Sequence, residues 1–192
     1  MEKAKVYFTR DISPEGLMKV YEALSPELPG KVAIKVHSGE TGNQNFLHPE
    51  FWKELIEKVN GTVTECNTAY EGTRNTTEKH LKTLEEHGWN KYFPVDLLDA
   101  EGPDLELQIP DGKVIKKNFV GKNIVNYDSL LFFPISKATP WAVMAAHLNS
   151  FQSALPLPSE KHISTERAFR KKSGLPITIL SLNPWRMQLP PL

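Results

Sequence analysis

The chain reads as an α/β protein with an open, largely parallel sheet, helices on both faces, an added β-hairpin and an irregular C-terminal tail. Three observations lead there. Short apolar runs alternate with capped amphipathic segments as far as Asp128. A Pro-Asp-Gly turn separates two strand-like runs near residue 110. Beyond Pro134 the periodic patterning stops.

Each element has a local reason. Lys5-Val6-Tyr7-Phe8-Thr9 has the composition of a short strand. Ser13 with Pro14 opens a helix, because Pro at the first helical position gives up an N–H that has no partner there anyway. Leu17, Val20, Tyr21 and Leu24 recur at helical spacing as its buried stripe. Pro29-Gly30 turns the chain into Val32-Ala33-Ile34-Lys35-Val36, an apolar run suited to a strand covered on both faces. Pro49 opens a second helix with Trp52, Leu55, Ile56 and Val59 on one side and Asn60-Gly61 as its stop. Thr62-Val63-Thr64-Glu65-Cys66 is the third strand. Asn75 and Glu78 form a capping pair for a third helix that ends at His87-Gly88. Leu105-Glu106-Leu107-Gln108-Ile109 and Lys113-Val114-Ile115 flank the Pro110-Asp111-Gly112 turn as a hairpin. Leu130-Leu131-Phe132-Phe133 is the last predicted strand.

Composition limits the functions. The 192 residues are 40% hydrophobic and 24% charged, enough for one domain with a real core. Zero net charge hides an asymmetry: residues 1–129 carry 16 Lys/Arg against 21 Asp/Glu, and the remainder carries 7 against 2. The basic tail has neither aromatic interleaving nor an amphipathic helix to carry its charge, so no nucleic-acid partner is expected. Cys66 is the single cysteine, which excludes an intrachain disulfide and a cluster held by several thiolates of this chain. No apolar run reaches the ~18 residues of a membrane span, and no signal-peptide layout opens the chain. A cytoplasmic protein that meets no membrane is the expectation.

Ligands of open α/β sheets bind beyond the carboxyl ends of the strands, and two polar loops leave strands there. The first, residues 37–45, contributes His37, Ser38, Glu40, Asn43 and Asn45 as candidate binding residues. The second, residues 66–77, contributes Cys66, Asn67, Thr68, Tyr70, Arg74, Thr76 and Thr77, with His80 one helical turn beyond Thr76. Hydroxyls, amides and glycines supply donors and allow close backbone approach, and Arg74 ahead of a helix N-terminus suits an anion. Ordinary surface loops have the same composition. Neither loop carries a Walker A or dinucleotide glycine pattern. Cys66 reads either as a small buried hydrophobe or as a nucleophile or metal ligand. His37 and His80 read either as satisfied histidines or as acid–base groups. Glu65 alternates to the other face of the strand from Cys66, so the two are not expected to act together. No metal site is expected, and no catalytic residue follows from spacing alone.

Several separated strings occur in the order typical of one family. Lys5-Val6-Tyr7-Phe8-Thr9, Leu28-Pro29-Gly30-Lys31-Val32-Ala33-Ile34-Lys35, Glu65-Cys66-Asn67-Thr68-Ala69-Tyr70 and Thr76-Thr77-Glu78-Lys79-His80-Leu81 resemble the DUF362 family over roughly residues 4–128. That domain of uncharacterised function is often joined to, or found near, ferredoxin-type 4Fe–4S modules. The resemblance implies a ferredoxin-type partner, with any 4Fe–4S cluster in that partner or in full-length relatives and no cofactor in this chain. Family members continue with Ser-His-Phe-Lys-Gly-His and then a glycine-rich run, which this chain lacks as written.

Codons suggest where that run went. If each new codon takes the last base of one residue's codon and the first two of the next, Trp141–Ala142 and Met144–Ala145 must both yield Gly. With allowed codon choices, Phe132 to Asn149 then reads Leu-Ser-His-Phe-Lys-Gly-His-Ala-Met-Gly-Gly-Tyr-Gly-Gly-Ala-Leu-Lys. A frameshift between about Asp128 and Phe132 follows as an expectation, in the gene or in its sequencing. The tail also holds 8 of the 15 prolines. The expected organisation is therefore an incomplete DUF362-like domain over 1–133 and a frameshifted, poorly ordered tail over 134–192. Three functions stay open: an incomplete domain whose intact relative serves iron–sulfur proteins, a small-molecule or anion-binding domain using the two loops, and a Cys/His-dependent enzyme.

Overall fold

The computed structural model describes residues 7–69, 71–102, 104–108, 116–133 and 177–179. Its centre is a five-stranded, wholly parallel sheet in the order β3-β2-β1-β6-β7, with a separate antiparallel pair, β4 and β5. The strands are β1 Val32–Lys35, β2 Thr62–Glu65, β3 Val95–Leu97, β4 Leu105–Gln108, β5 Lys117–Val120, β6 Ser129–Phe132 and β7 Ile177–Ile179. The α-helices are α1 Pro14–Leu24, α2 Pro49–Val59, α3 Thr77–Glu86 and α4 Trp89–Tyr92, and a 3-10 turn spans Lys122–Asn126. No described helix is long and apolar enough to cross a membrane.

Strand periodicity divides the core in two. Along β1 and β6, Val32, Ile34, Leu131 and Phe133 point to one face and Ala33, Leu130 and Phe132 to the other. The first face is covered by the α-helices through Leu17, Trp52, Leu55, Ile56, Leu84 and Trp89. The second is covered by the hairpin and the 3-10 turn through Val120, Ile124 and Tyr127. Burial on both faces is why β1 and β6 read as continuous apolar runs.

Most helix ends match their sequence signals. The Ser13 hydroxyl accepts the Gly16 N–H at 3.0 Å, with Pro14 at the first helical position. Asn60, left-handed at φ 48°, ends α2. At α3 the cap is one residue later than predicted. The Thr76 hydroxyl accepts from the Lys79 N–H, while Asn75 turns to the surface and pairs with Glu71 and Lys79.

Other departures are larger. Residues 7–9 belong to no strand, and Phe8 is exposed; Lys5 and Val6 lie outside the described residues. Tyr7 and Phe8 are not buried, and alternation alone does not create a pairing partner. The hairpin forms, but β4 pairs with 117–120, Gln108 opposite Lys117, so the connection spans 109–116. The inward positions Asn118 and Val120 set that register. The predicted turn at 110–112 and the strand at 113–115 lie outside the described residues. Nearly all of the tail does too; its described portion, Ile177–Ile179, pairs beside β6 as the outer strand of the sheet. Helix α4, strand β3 and the 3-10 turn had no prediction.

Candidate functional site

Strands β1 and β2 end in charged residues, Lys35 and Glu65, and both side chains are buried. Two ionised groups at the carboxyl edge of a parallel sheet are stable only if they meet. The Lys35 Nζ lies 2.5 Å from Glu65 Oε2 and donates to the Val36 carbonyl at 2.8 Å. The other Glu65 oxygen, Oε1, accepts from the Ser38 N–H at 2.9 Å, the Ser38 hydroxyl at 3.1 Å and the Arg74 guanidinium at 3.4 Å. Glu65 is therefore the hub that joins both polar loops to the sheet. Burial alone would raise its pKa, but Lys35 and Arg74 outweigh that and hold it far below the usual carboxylate range.

Arg74, also buried, spans from this hub to the rim. Its Nε and Nη2 donate to Glu40 Oε1 at 2.9 and 2.5 Å. Thr73 donates its hydroxyl to Glu40 Oε2 at 3.0 Å and accepts the Thr41 N–H at 3.2 Å. Burial opposes ionisation of Glu40, yet Arg74 keeps its pKa below the ordinary value. A lysine and an arginine thus face two carboxylates, and the charges cancel. Beneath Thr41, the buried Thr83 shares a hydroxyl contact of 2.9 Å, and its single O–H lies 3.1 Å from both the Thr73 and the Lys79 carbonyl.

His80 lies behind the hub. Thr77 donates its hydroxyl to the Ala100 carbonyl and so accepts from Asn67 Nδ2, which turns Asn67 Oδ1 toward His80 Nδ1 at 3.2 Å. A neutral His80 consequently carries its proton on Nδ1 and presents Nε2 to the Ser38 hydroxyl at 3.4 Å. Burial, with Arg74 and Lys35 close by, lowers its pKa to about 4. The order Ser38–His80–Asn67 has the polarity of a nucleophile, base and orienter. Ser38 and His80 are completely buried, however, and the serine hydroxyl has the Glu65 carboxylate nearer than the imidazole. The arrangement braces the two loops and exposes no nucleophile.

Of the remaining candidates, His37 accepts the Gly39 N–H at 3.2 Å. Thr68 joins the second loop through its N–H to the Arg74 carbonyl. Asn43 and Asn45 form a turn of their own in the exposed part of the first loop, where Asn45 N–H donates to Asn43 Oδ1. Thr76 serves the helix cap. Tyr70 lies outside the described residues. Cys66 is buried, and burial together with nearby Asp99 pushes its thiol well up, away from the thiolate that nucleophilic or metal chemistry requires. Among the described residues no group of three or more His, Cys, Asp or Glu could hold a metal ion.

Sequence reasoning missed Lys35, Glu65, Thr73, Thr83 and Asp99. The available signal was a charged residue at the end of each strand that is otherwise buried. Asp99 accepts the Asn67 N–H with both oxygens, 3.0 and 3.1 Å, and burial raises its pKa. His87 and Trp89 both meet the Ser38 carbonyl, at 2.8 and 3.2 Å. Gly39 is required beside them: its φ is +91°, and a Cβ would come within 2.8 Å of His87 and 2.7 Å of Phe46.

Neither a curated protein nor a solved structure matches this chain. The family described as a domain of unknown function, DUF362, matches residues 32–170. The match starts later and ends later than the resemblance traced over 4–128, and it takes in β1, β2, β6 and every described residue of the Glu65 cluster. Covering well over half of the sequence, it establishes that the chain belongs to the DUF362 family.

Proposed function

We propose that this domain binds a small polar ligand at the carboxyl edge of the sheet, in the crevice beside the ends of β1 and β6. One observation carries the reading: strand order reverses at β1. From β1 the chain proceeds through β2 to β3 on one side, while β6 and β7 occupy the other. Such a reversal separates the loops that leave neighbouring strands and opens a crevice between them. Loop 37–45 leaves β1 at this point and loop 66–77 leaves the adjacent β2, and their roots are fixed by Glu65, Ser38 and Arg74. Their outer residues, including 41–45, 71 and 72, are exposed polar or glycine positions. Rigid roots under polar tips make a preorganised binding surface.

Nuclear magnetic resonance titration of the labelled protein with acetate, citrate, inorganic phosphate and an adenine nucleotide tests this. A saturable response confined to residues 37–45 and 66–77 is expected from at least one of them. Responses that all map to the hairpin or to α1, or no response to any probe, overturn it.

The codons compatible with residues 132–149 support a second proposal, that the message is read out of register from about 128–132 onward. Strand β6 keeps its apolar character and its pairing with β1 across the junction, as expected where both frames encode apolar residues. The family match through residue 170 counts against a junction there. The nucleotide sequence decides: one codon incompatible with the shifted peptide removes the idea.

A further inference from the structure

We infer that the Glu40 carboxylate is an internal stand-in for a carboxylate-bearing small molecule, seated on Arg74 and released when that ligand arrives. The inference rests on the binding reading above and names its ligand class.

The two ends of Arg74 differ. One side of the guanidinium meets Glu65, a carboxylate sealed in the sheet edge, through Nη1. The other side, Nε and Nη2, is presented to the rim and converges on one Glu40 oxygen. Paired N–H donors of this kind match the planar carboxylate. Arg74 keeps only 6% of its side-chain surface, whereas Glu40 keeps 31%. The cation is therefore fixed in the protein, and the anion sits at the solvent boundary.

Glu40 also lies where the first loop emerges to solvent. Gly39 at φ +91° and Gly42 at φ +77° flank it, and residues 41–45 beyond are exposed. The Thr73 hydroxyl also donates to Glu40 Oε2 at 3.0 Å, a bond that an incoming carboxylate can accept in the same way. Exchange of one carboxylate for another keeps the charge balance around Lys35, Glu65 and Arg74 intact. It leaves the buried hub undisturbed while releasing the Glu40 side chain from Arg74. A phosphoryl group would bring extra negative charge to a cluster already neutral, which is the physical reason for naming a carboxylate.

The test is chemical rescue. Urea unfolding of the full chain and of Glu40→Ala is followed at constant ionic strength, with acetate, inorganic phosphate or chloride as the varied anion. Acetate is expected to raise the Glu40→Ala midpoint saturably and at lower concentrations than in the wild type, where it must displace Glu40, with no rise from chloride. An equal response of both proteins to acetate, or no response in the variant, overturns the inference. A response to phosphate in preference to acetate overturns the carboxylate assignment. Glu40→Gln retains a hydrogen-bond acceptor for Arg74 while removing the charge, and provides the same readout if the alanine variant does not fold. Rescue of the variant without any ligand response in the wild-type titration sinks the binding function while leaving the Arg74 socket standing; the reverse pattern sinks the socket alone.

Discussion

Two groups of ion pairs in this molecule use the same chemistry with opposite consequences. Around Glu65 the partners Lys35 and Arg74 are buried, and the carboxylate also accepts from Ser38 and from the Cys66 N–H. On the hairpin side, Lys122 meets Glu101 and Asp104, and Lys117 meets Glu106, all with substantial exposed surface. Exposed pairs exchange one set of hydrated contacts for another and gain little. Buried charges have lost their water, so each depends on its partner, and removing one member strands the others. The sheet edge thus concentrates its sensitivity in a few residues, while the hairpin side spreads weak contacts over a tolerant surface.

The strongest way to break the buried group is Glu65→Ala. It strands Lys35 and leaves Arg74 with Glu40 at the rim, and a loss of about 3–5 kcal/mol is expected from urea unfolding. The double variant Lys35→Met with Glu65→Leu removes both members of the pair and should be less destabilised than Glu65→Ala alone. If it is more destabilised, the hub stabilises through hydrogen bonding to the loops and not through charge balance.

Acid sharpens the contrast. His80 has a folded pKa of about 4 against an ordinary 6.5, so the unfolded chain takes up its proton first as pH falls. The stability His80 contributes is complete above 6.5 and is lost as pH descends to about 4, on the order of 3 kcal/mol over that window. Glu65 keeps its charge throughout, because its folded pKa lies lower still. Between pH 7 and about 5, unfolding curves should therefore show a decline that Glu40, Glu65 and the surface pairs do not cause; below about 5 the unfolded Glu40 and Glu65 carboxyls, ordinarily at 4.5, take up protons and add to it. His80→Gln should flatten it; an unchanged slope in that variant assigns the decline to other groups.

How far the sequence revealed this arrangement depends on whether local chemistry or tertiary contact decided each feature. Ser13 with Pro14 and Asn60 act within a few residues of themselves, and both work as their types suggest. The parallel sheet was legible because β1 and β6 are buried on both faces and so could not alternate. Loops 37–45 and 66–77 could be placed at one edge from strand direction alone. Lys35 and Glu65 could not be recognised as partners, since 30 residues separate them and only the register Lys35↔Thr64 brings their strand ends together. The same holds for Arg74 and Glu40, whose pairing joins two loops of no fixed pattern. The hairpin register escaped because Pro110-Asp111-Gly112 signals a turn but not the length of the connection around it.

Cys66 provides a smaller test of the same boundary between buried and exposed chemistry. It belongs to the hairpin-side core with Ala33, Leu98 and Val120, and its thiol is held protonated. Cys66→Ala removes one buried sulfur from a close-packed site, and a loss of about 1 kcal/mol is expected. Ligand responses at loops 37–45 and 66–77 should be retained in that variant. Their loss, with the fold intact, would restore a chemical role to the thiol.

The smallest effect belongs to the surface. Lys122→Ala removes the cation between Glu101 and Asp104, yet the Lys122 N–H still donates to Asp104 Oδ1 at 3.1 Å, so the start of the 3-10 turn remains tied. The lost side chain is solvated in the folded and unfolded chain alike, and salt screens its interactions further. The urea midpoint should stay within experimental error of the wild type, at low and at high salt. A clear loss that appears only at low salt would mean that the acidic surface around Glu101 and Asp104 requires a counter-charge. The hairpin side would then share, in weaker form, the dependence on charge balance that governs the sheet edge.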